Sequence, residues 1–419
     1  MNTRLLPSVF FVLACLSLEM LGFAQEIAIQ GDMVYPVSRS PIKNGVVLIR
    51  DGKIAAVGKA DAIEIPQGTQ VLHAPVITPG LIDAHSVVGL TGILNQDEDQ
   101  DQLDPTEPVQ PQLRAVDAYN AKDPLIEWIR DFGVTTVHTG HAPGELVSGQ
   151  TMIIKTTGET VEASTLNPFR AIAVTLTSQA QKSGKSSPGT RGKMIAVLRQ
   201  NLLQAKEYLA KIKASQKEDA APLARDLKLE SFASVLEGDT KLLITADRSQ
   251  DIASALRLGD EFGLRIWIDS GSEAYLLIDE IRDAGAAVIV HPSMARAVGD
   301  RENLSFETAA KLHEAGIPVA FQSGFEPYVP KTRVVLFEAA LFSANGLGFE
   351  KTLQGLTLDA AKLLGIQNRV GGLNVRKDAD LAYYTVPPSS ARGIASASSS
   401  MEKLRARRQV DTNCRASKN

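Results

Sequence analysis

The chain has 419 residues, 44% of them hydrophobic and 22% charged, with a formal net charge of −4. That length excludes a single small domain and accommodates a β/α barrel, typically about 250 residues, with a smaller domain attached. The lack of a basic excess argues against nucleic acid or an anionic membrane surface as a partner, and six histidines are few for a metal enzyme of this size.

Met1-Asn2-Thr3-Arg4 carries a positive charge, residues 5–21 are mostly apolar, and Gly22-Phe23-Ala24 offers a small-x-small cleavage site before Gln25. Residues 1–24 therefore read as a signal peptide and the protein as exported, periplasmic or secreted. A membrane anchor is an alternative, but Pro7 and Glu19 interrupt the run, which falls short of the ~20 apolar residues a span needs. A lipoprotein signal at Cys15 is the weaker alternative, because apolar residues continue to Phe23. Cleavage would leave Cys414 alone, and a single cysteine forms no internal disulfide.

Short alternating runs at 26–30, 45–50 and 53–58, separated by turns such as Asp51-Gly52, predict the N-terminal part of a small β-domain over 25–75. From residue 76 apolar runs alternate with helix-like stretches, the pattern of parallel strands with crossover helices. The runs are 76–84, 134–138, 152–155, 171–176, 242–246, 265–269, 287–291 and 318–322, and they fit a (β/α)8 barrel over 76–365 with its active site where the strands end. A helix over 252–262 follows a segment suited to capping, Asp247-Arg248-Ser249-Gln250-Asp251, and a helix over 306–315 stops at Gly316. The acidic, proline-rich stretch 95–111 reads as a solvated loop or a substrate lid. Residues 366–388 supply the C-terminal part of the β-domain, and 389–419, rich in Ser, Ala and Arg, read as a disordered tail.

Several stretches occur in an informative order: Asn44-Gly45-Val46-Val47-Leu48-Ile49-Arg50-Asp51-Gly52-Lys53, Pro79-Gly80-Leu81-Ile82-Asp83-Ala84-His85, Gly133-Val134-Thr135-Thr136-Val137, Leu356-Thr357-Leu358-Asp359-Ala360-Ala361 and Lys377-Asp378-Ala379-Asp380-Leu381. On these, from about Ile27 to Tyr384, the chain resembles the exported imidazolonepropionase-like proteins of the amidohydrolase superfamily. The resemblance implies a TIM-like metal-dependent-hydrolase barrel with a small composite β-sandwich domain. It also implies hydrolysis of C–N bonds in cyclic amides or peptide-like substrates, with a divalent metal such as zinc. That metal lowers the pKa of bound water to about 7 and polarises the carbonyl, and an aspartate on the last strand serves as general base.

The same resemblance marks losses. His85 is the retained metal ligand, but the second histidine of the family's "HxH" is Val87, and the fourth-strand ligand position is Ala173. The family's "HA..ADDI" reads Thr245-Ala246-Asp247-Arg248-Ser249-Gln250-Asp251-Ile252, which puts Thr245 at a ligand histidine. Its "HG.EA" reads Ser270-Gly271-Ser272-Glu273-Ala274, and its "SD" reads Ser323-Gly324, so Ser270 replaces a histidine and Gly324 the basic aspartate. Valine, alanine and glycine side chains offer zinc no lone pair.

Two readings of function follow. In one the protein is a degenerate amidohydrolase without a cofactor, a binding or partner subunit with a small-molecule ligand in a homo- or hetero-oligomer. In the other it is an active metal-dependent C–N hydrolase, with zinc or another divalent ion in a site rebuilt around His85 with His138, His141, His291 and Asp247. His138 and His141 read more readily as polar loop histidines, because neither spacing nor parity places both toward one point. Asp269 is expected to point out toward the helices if its neighbour Ser270 points inward. Residues 144–150 resemble a family loop that closes over the site, so Gly149, Gln150 and His291 are the substrate-binding candidates, although a tight turn accounts for the glycines equally well. A third reading concerns the C-terminus, where Pro387-Pro388 leads into the tail in the manner of a frameshift or truncation, leaving an unpaired sheet edge.

Overall fold

Four strands open the chain: β1 (Glu26–Val34), β2 (Ile42–Arg50), β3 (Lys53–Lys59) and β4 (Gln70–Pro79). The eight that follow are β5 (Leu81–Ser86), β6 (Val134–Gly140), β7 (Val147–Lys155), β8 (Thr165–Thr175), β9 (Lys241–Ala246), β10 (Ile266–Ser270), β11 (Ala287–Val290) and β12 (Val319–Phe321). In chain order they form one eight-stranded sheet, while β13 (Leu381–Tyr384) and β14 (Ala395–Ser398) return to a second sheet ordered β14-β13-β4-β1-β2-β3. This computed structural model describes residues 26–94, 96–183, 188–215, 223–291, 296–325, 335–384 and 395–398. The signal-peptide reading on 1–24 and the Pro387-Pro388 junction lie outside the described residues. Among those residues no helix is long and apolar enough to cross a membrane.

The architecture is a nearly closed TIM-like barrel with a separate sheet domain, and its strands are buried on both faces because helices cover the outside. β6, Val-Thr-Thr-Val-His-Thr-Gly, is buried at every position. Helix boundaries follow local chemistry. In α1 (Pro124–Asp131), Asp123 accepts from the Leu125 amide at 2.8 Å and proline opens the first turn. α2 (Arg191–Ser215) is followed by α3 (Leu227–Glu237), capped by Asp226 and ended by left-handed Gly238. α4 (Ser249–Phe262) begins near its expected start, but no side chain of 247–251 caps it: the carboxylate of Glu273 accepts from the Ser249 amide at 2.7 Å. α5 (Thr308–Glu314) ends before Gly316, whose φ is +75°, and α6 (Leu358–Leu363) lies beneath the barrel seam.

Three sequence expectations are corrected. The run 76–84 is not one strand. β4 belongs to the small sheet up to Pro79 and β5 begins the barrel at Leu81, because the chain crosses between sheets at Gly80. A Cβ there would lie 2.1 Å from Oγ1 of Thr135, so only glycine fits the crossing. Nor are all eight barrel strands parallel: β7 runs antiparallel to both β6 and β8. The connections 141–146 and 156–164 are too short for a crossover, which needs about a dozen residues. Finally, the one described piece of the stretch read as a disordered tail, Ala395–Ser398, pairs antiparallel with β13 and gives that strand a neighbour on its outer edge, while the rest of the stretch lies outside the described residues.

Side chains join the last barrel strand to the first. The backbone amide of Ser323, just past β12, donates to Asp83 Oδ1 at 3.1 Å, and the Ser323 hydroxyl donates to the same carboxylate. Burial, offset in part by these bonds and by the His85 amide, raises the Asp83 carboxyl to about 7.

Candidate functional site

The C-terminal ends of the barrel strands bring His85, Thr245, Asp269 and Gln322 together. Asp269 Oδ1 accepts from His85 Nδ1 at 2.9 Å and from the Gln322 amide at 2.6 Å, and its Oδ2 accepts from the Thr245 hydroxyl at 2.6 Å. His85 and Asp269 have no solvent exposure. β5 and β10 are separated by four strands on one side and two on the other, so this contact crosses the barrel interior. That overturns the expectation that Asp269 faces the helices. Strict alternation fails because Ser270 takes a left-handed φ of +74° at the strand end. Its hydroxyl turns to Asp247, at 2.6 Å, and to the His291 carbonyl.

Burial pushes the Asp269 carboxyl up, but the neighbouring His85 and the hydrogen bonds from His85, Thr245 and Gln322 outweigh it and leave the group below its ordinary value. The carboxylate is therefore an acceptor, and His85 Nδ1 carries the proton of their bond. His85 Nε2 and Gln322 Oε1 are buried without a hydrogen-bond partner among the described residues.

The other histidines differ: His138 is committed locally, whereas neither ring nitrogen of His141 has a hydrogen-bond partner among the described residues. His138 lies between the Ala84 carbonyl, 2.8 Å from Nδ1, and the Thr151 hydroxyl, 2.7 Å from Nε2. Burial, then repulsion by His85, lowers it to about 3, so it is neutral: Nδ1 donates to the carbonyl and Nε2 accepts from Thr151. His141 is buried beside Gly149, where a Cβ would approach its ring to 2.3 Å; burial lowers it to about 4. His291 packs against Gly324, where a Cβ would lie 2.3 Å from Cε1 of the ring. The ring of Phe325 sits 5.4 Å from the His85 ring and 5.4 Å from the His291 ring, an apolar plug between them.

The substrate-binding candidates are scattered among scaffold roles. Residues 147–150 are part of β7 and not a closing loop, and the Gln150 amide donates to the Pro111 carbonyl at 3.0 Å and the Ser231 hydroxyl at 3.2 Å. Among the positions marked by the resemblance, Val87 and Ala173 are buried and apolar, Thr245 is occupied by Asp269, and Ser270 is occupied by Asp247. Among the described residues no group of three or more His, Cys, Asp or Glu side chains is placed to hold a metal ion. The donor set does not fit the divalent metal that the resemblance implies: one imidazole offers a single remaining nitrogen, and the carboxylate beside it already receives three donors.

Sequence reasoning missed Gln322 and Phe325. Gln322 had a readable signal, a polar residue ending an otherwise apolar strand run; Phe325 had none. A cavity of about 190 Å³ opens above this layer, lined by Thr177, Ser178, Thr245, Asp247, Asp300 and Arg301 among others. Asp247 accepts from Arg301 Nε at 3.1 Å, and the buried Thr177 hydroxyl has no hydrogen-bond partner among the described residues.

No family model matches the chain. It is 24% identical over 390 residues to an imidazolonepropionase from Shewanella oneidensis, covering 82% of this chain and 87% of that protein. An imidazolonepropionase from Shewanella baltica is 25% identical over 377 residues with the same coverage. Among solved structures, an amidohydrolase from Thermotoga maritima superposes with a TM-score of 0.81 at 28% identity, over 88% of this chain and 96% of its own. An adenosine deaminase from Xanthomonas campestris, solved with bound zinc, shares the fold at a TM-score of 0.51 and 16% identity, over 86% of this chain and 85% of its own.

Proposed function

This chain belongs to the amidohydrolase superfamily and within it is imidazolonepropionase-like, and on that premise we propose that it is a degenerate member that binds a small polar molecule without metal-dependent hydrolysis. The observation that carries this reading is the Asp269 carboxylate, which takes up the one retained ligand histidine together with Thr245 at a lost ligand position. A carboxylate already bonded to an imidazole, a hydroxyl and an amide is a structural hub rather than an open metal ligand. The polar cavity above it, with its buried Thr177 hydroxyl, supports ligand binding at the barrel mouth. Export by residues 1–24 and service as a partner subunit belong to the same proposal.

The alternative, an active hydrolase with a rebuilt metal site, draws on the unpartnered Nε2 of His85. One imidazole nitrogen does not hold a divalent ion tightly, which is why the first reading is preferred. Elemental analysis of protein purified without chelator, loaded with zinc or manganese and desalted, tests the choice. The expected outcome is folded protein with substoichiometric metal and no turnover of cyclic amides or dipeptides. A full equivalent of retained metal, with hydrolysis that chelation abolishes and His85→Ala removes, would establish the alternative.

A further inference from the structure

The end of the barrel opposite the site carries a row of cations. β8, β9 and β10 run parallel, with Ala171 beside Lys241 and Leu242 beside Ile266. Arg170 and Arg265 each stand one residue ahead of a paired position, so they flank Lys241 where β9 begins. Neighbouring strands are about 4.8 Å apart, which gathers the three backbone positions within roughly 10 Å. Like charges side by side on adjacent strands repel unless something neutralises them.

The contacts these side chains make leave their charges only partly compensated. The Arg170 guanidinium lies 4.9 Å from the centre of the Trp267 ring and donates to the Leu363 carbonyl at 3.4 Å; Lys241 donates to the Gly238 carbonyl at 3.2 Å. Among the described residues none of the three stands in an ion pair. Arg170 is held in place, with Trp267 on one side and Gly365 close enough that a Cβ there would reach Nη2 at 3.3 Å. Its Nε is buried and has no acceptor among the described residues. Lys241 registers the crowding: burial first, then Arg170 and Arg265, lower its ammonium below its usual range, and Asp239 offsets only part.

We propose that this floor of the barrel is a binding site for a diphosphate group, held by Arg170, Lys241 and Arg265. Three cations ask for a multiply charged oxyanion, and two linked phosphoryl groups span the row where a single small anion would meet only part of it. Arginine forks and a lysine point charge are both suited to phosphate oxygens. The site stands at the opposite end of the barrel from the cavity at its mouth and does not depend on the reading given to that cavity.

The test is thermal unfolding and calorimetric titration of the purified protein with inorganic pyrophosphate, against sodium chloride at matched ionic strength. A saturable rise in Tm with pyrophosphate is expected. Lys241→Gln and Arg265→Gln should each weaken binding by roughly tenfold or more, the scale of one charge-assisted hydrogen bond. In chloride alone both variants should match or exceed the parent Tm, because they relieve repulsion, which keeps the test independent of folding defects. Stronger binding of a nucleoside diphosphate than of pyrophosphate would assign the group to a larger phosphorylated molecule, and the reverse to the free anion. A Tm rise that follows ionic strength alone, or binding undiminished in the double variant, overturns the proposal.

Discussion

At Asp269 one buried carboxylate satisfies an imidazole, a hydroxyl and a side-chain amide, all from different strands or their ends. Removing it leaves three buried donors facing one another across the barrel. Asp269→Ala is therefore expected to lower unfolding free energy by about 3–5 kcal/mol, read by urea denaturation. Asp269→Asn should cost less, because one oxygen still accepts. A loss indistinguishable from that of an exposed aspartate would show that the hub contributes nothing. Legibility varied residue by residue at this layer. His85 and Thr245 were found because a motif with known spacing runs through them. Asp269 was misplaced because alternation was counted from Ser270, and a left-handed residue at a strand end breaks the count.

Between elements, the decisive contacts lie where the two sheets meet. Asp378 accepts from Lys155 of β7 at 2.5 Å and from Arg369 at 2.8 Å, and it also pairs with Lys53 of β3. Burial works against its charge, but hydrogen bonds from Lys155 and Lys53, with Lys155 and Arg369 close by, hold the carboxyl down at about 2. A depressed carboxylate stabilises the fold above its unfolded value, near 4, and that contribution is lost as pH falls toward 2. Asp378→Asn should remove about 2 kcal/mol at neutral pH and flatten the acid limb of stability between pH 4 and 2; an unchanged acid limb would place the dependence elsewhere. Gly80→Ala should cost about 1–3 kcal/mol through its clash with Thr135, measured by thermal melts. The strand runs themselves were readable because burial on both barrel faces makes them largely apolar. The break at Gly80 and the reversal of β7 were not, because a continuous apolar run carries no mark of which sheet it joins or which way it points.

Across the whole molecule, a barrel with this order of strands has one weak meridian, between β12 and β5, bridged by Ser323 and Asp83. Ser323→Ala should speed amide exchange in β5 and β12 while leaving β1 to β3 unchanged; uniform acceleration would mean that the seam has no local opening of its own. The fold was recoverable from ordered motifs spread along the chain, whereas the site was recoverable only as a set of vacancies, since compensating partners such as Gln322 and Phe325 belong to no motif. The contact between Gly324 and His291 limits what position 324 can accept. Position 324 now has φ +96°, and the space beyond its Cα is filled by an imidazole ring. An aspartate placed there would collide with that ring, so His291 would have to move to accommodate it. Under the degenerate reading proposed above, a carboxylate at this position therefore calls for a paired change at 291 and 324 rather than a single substitution.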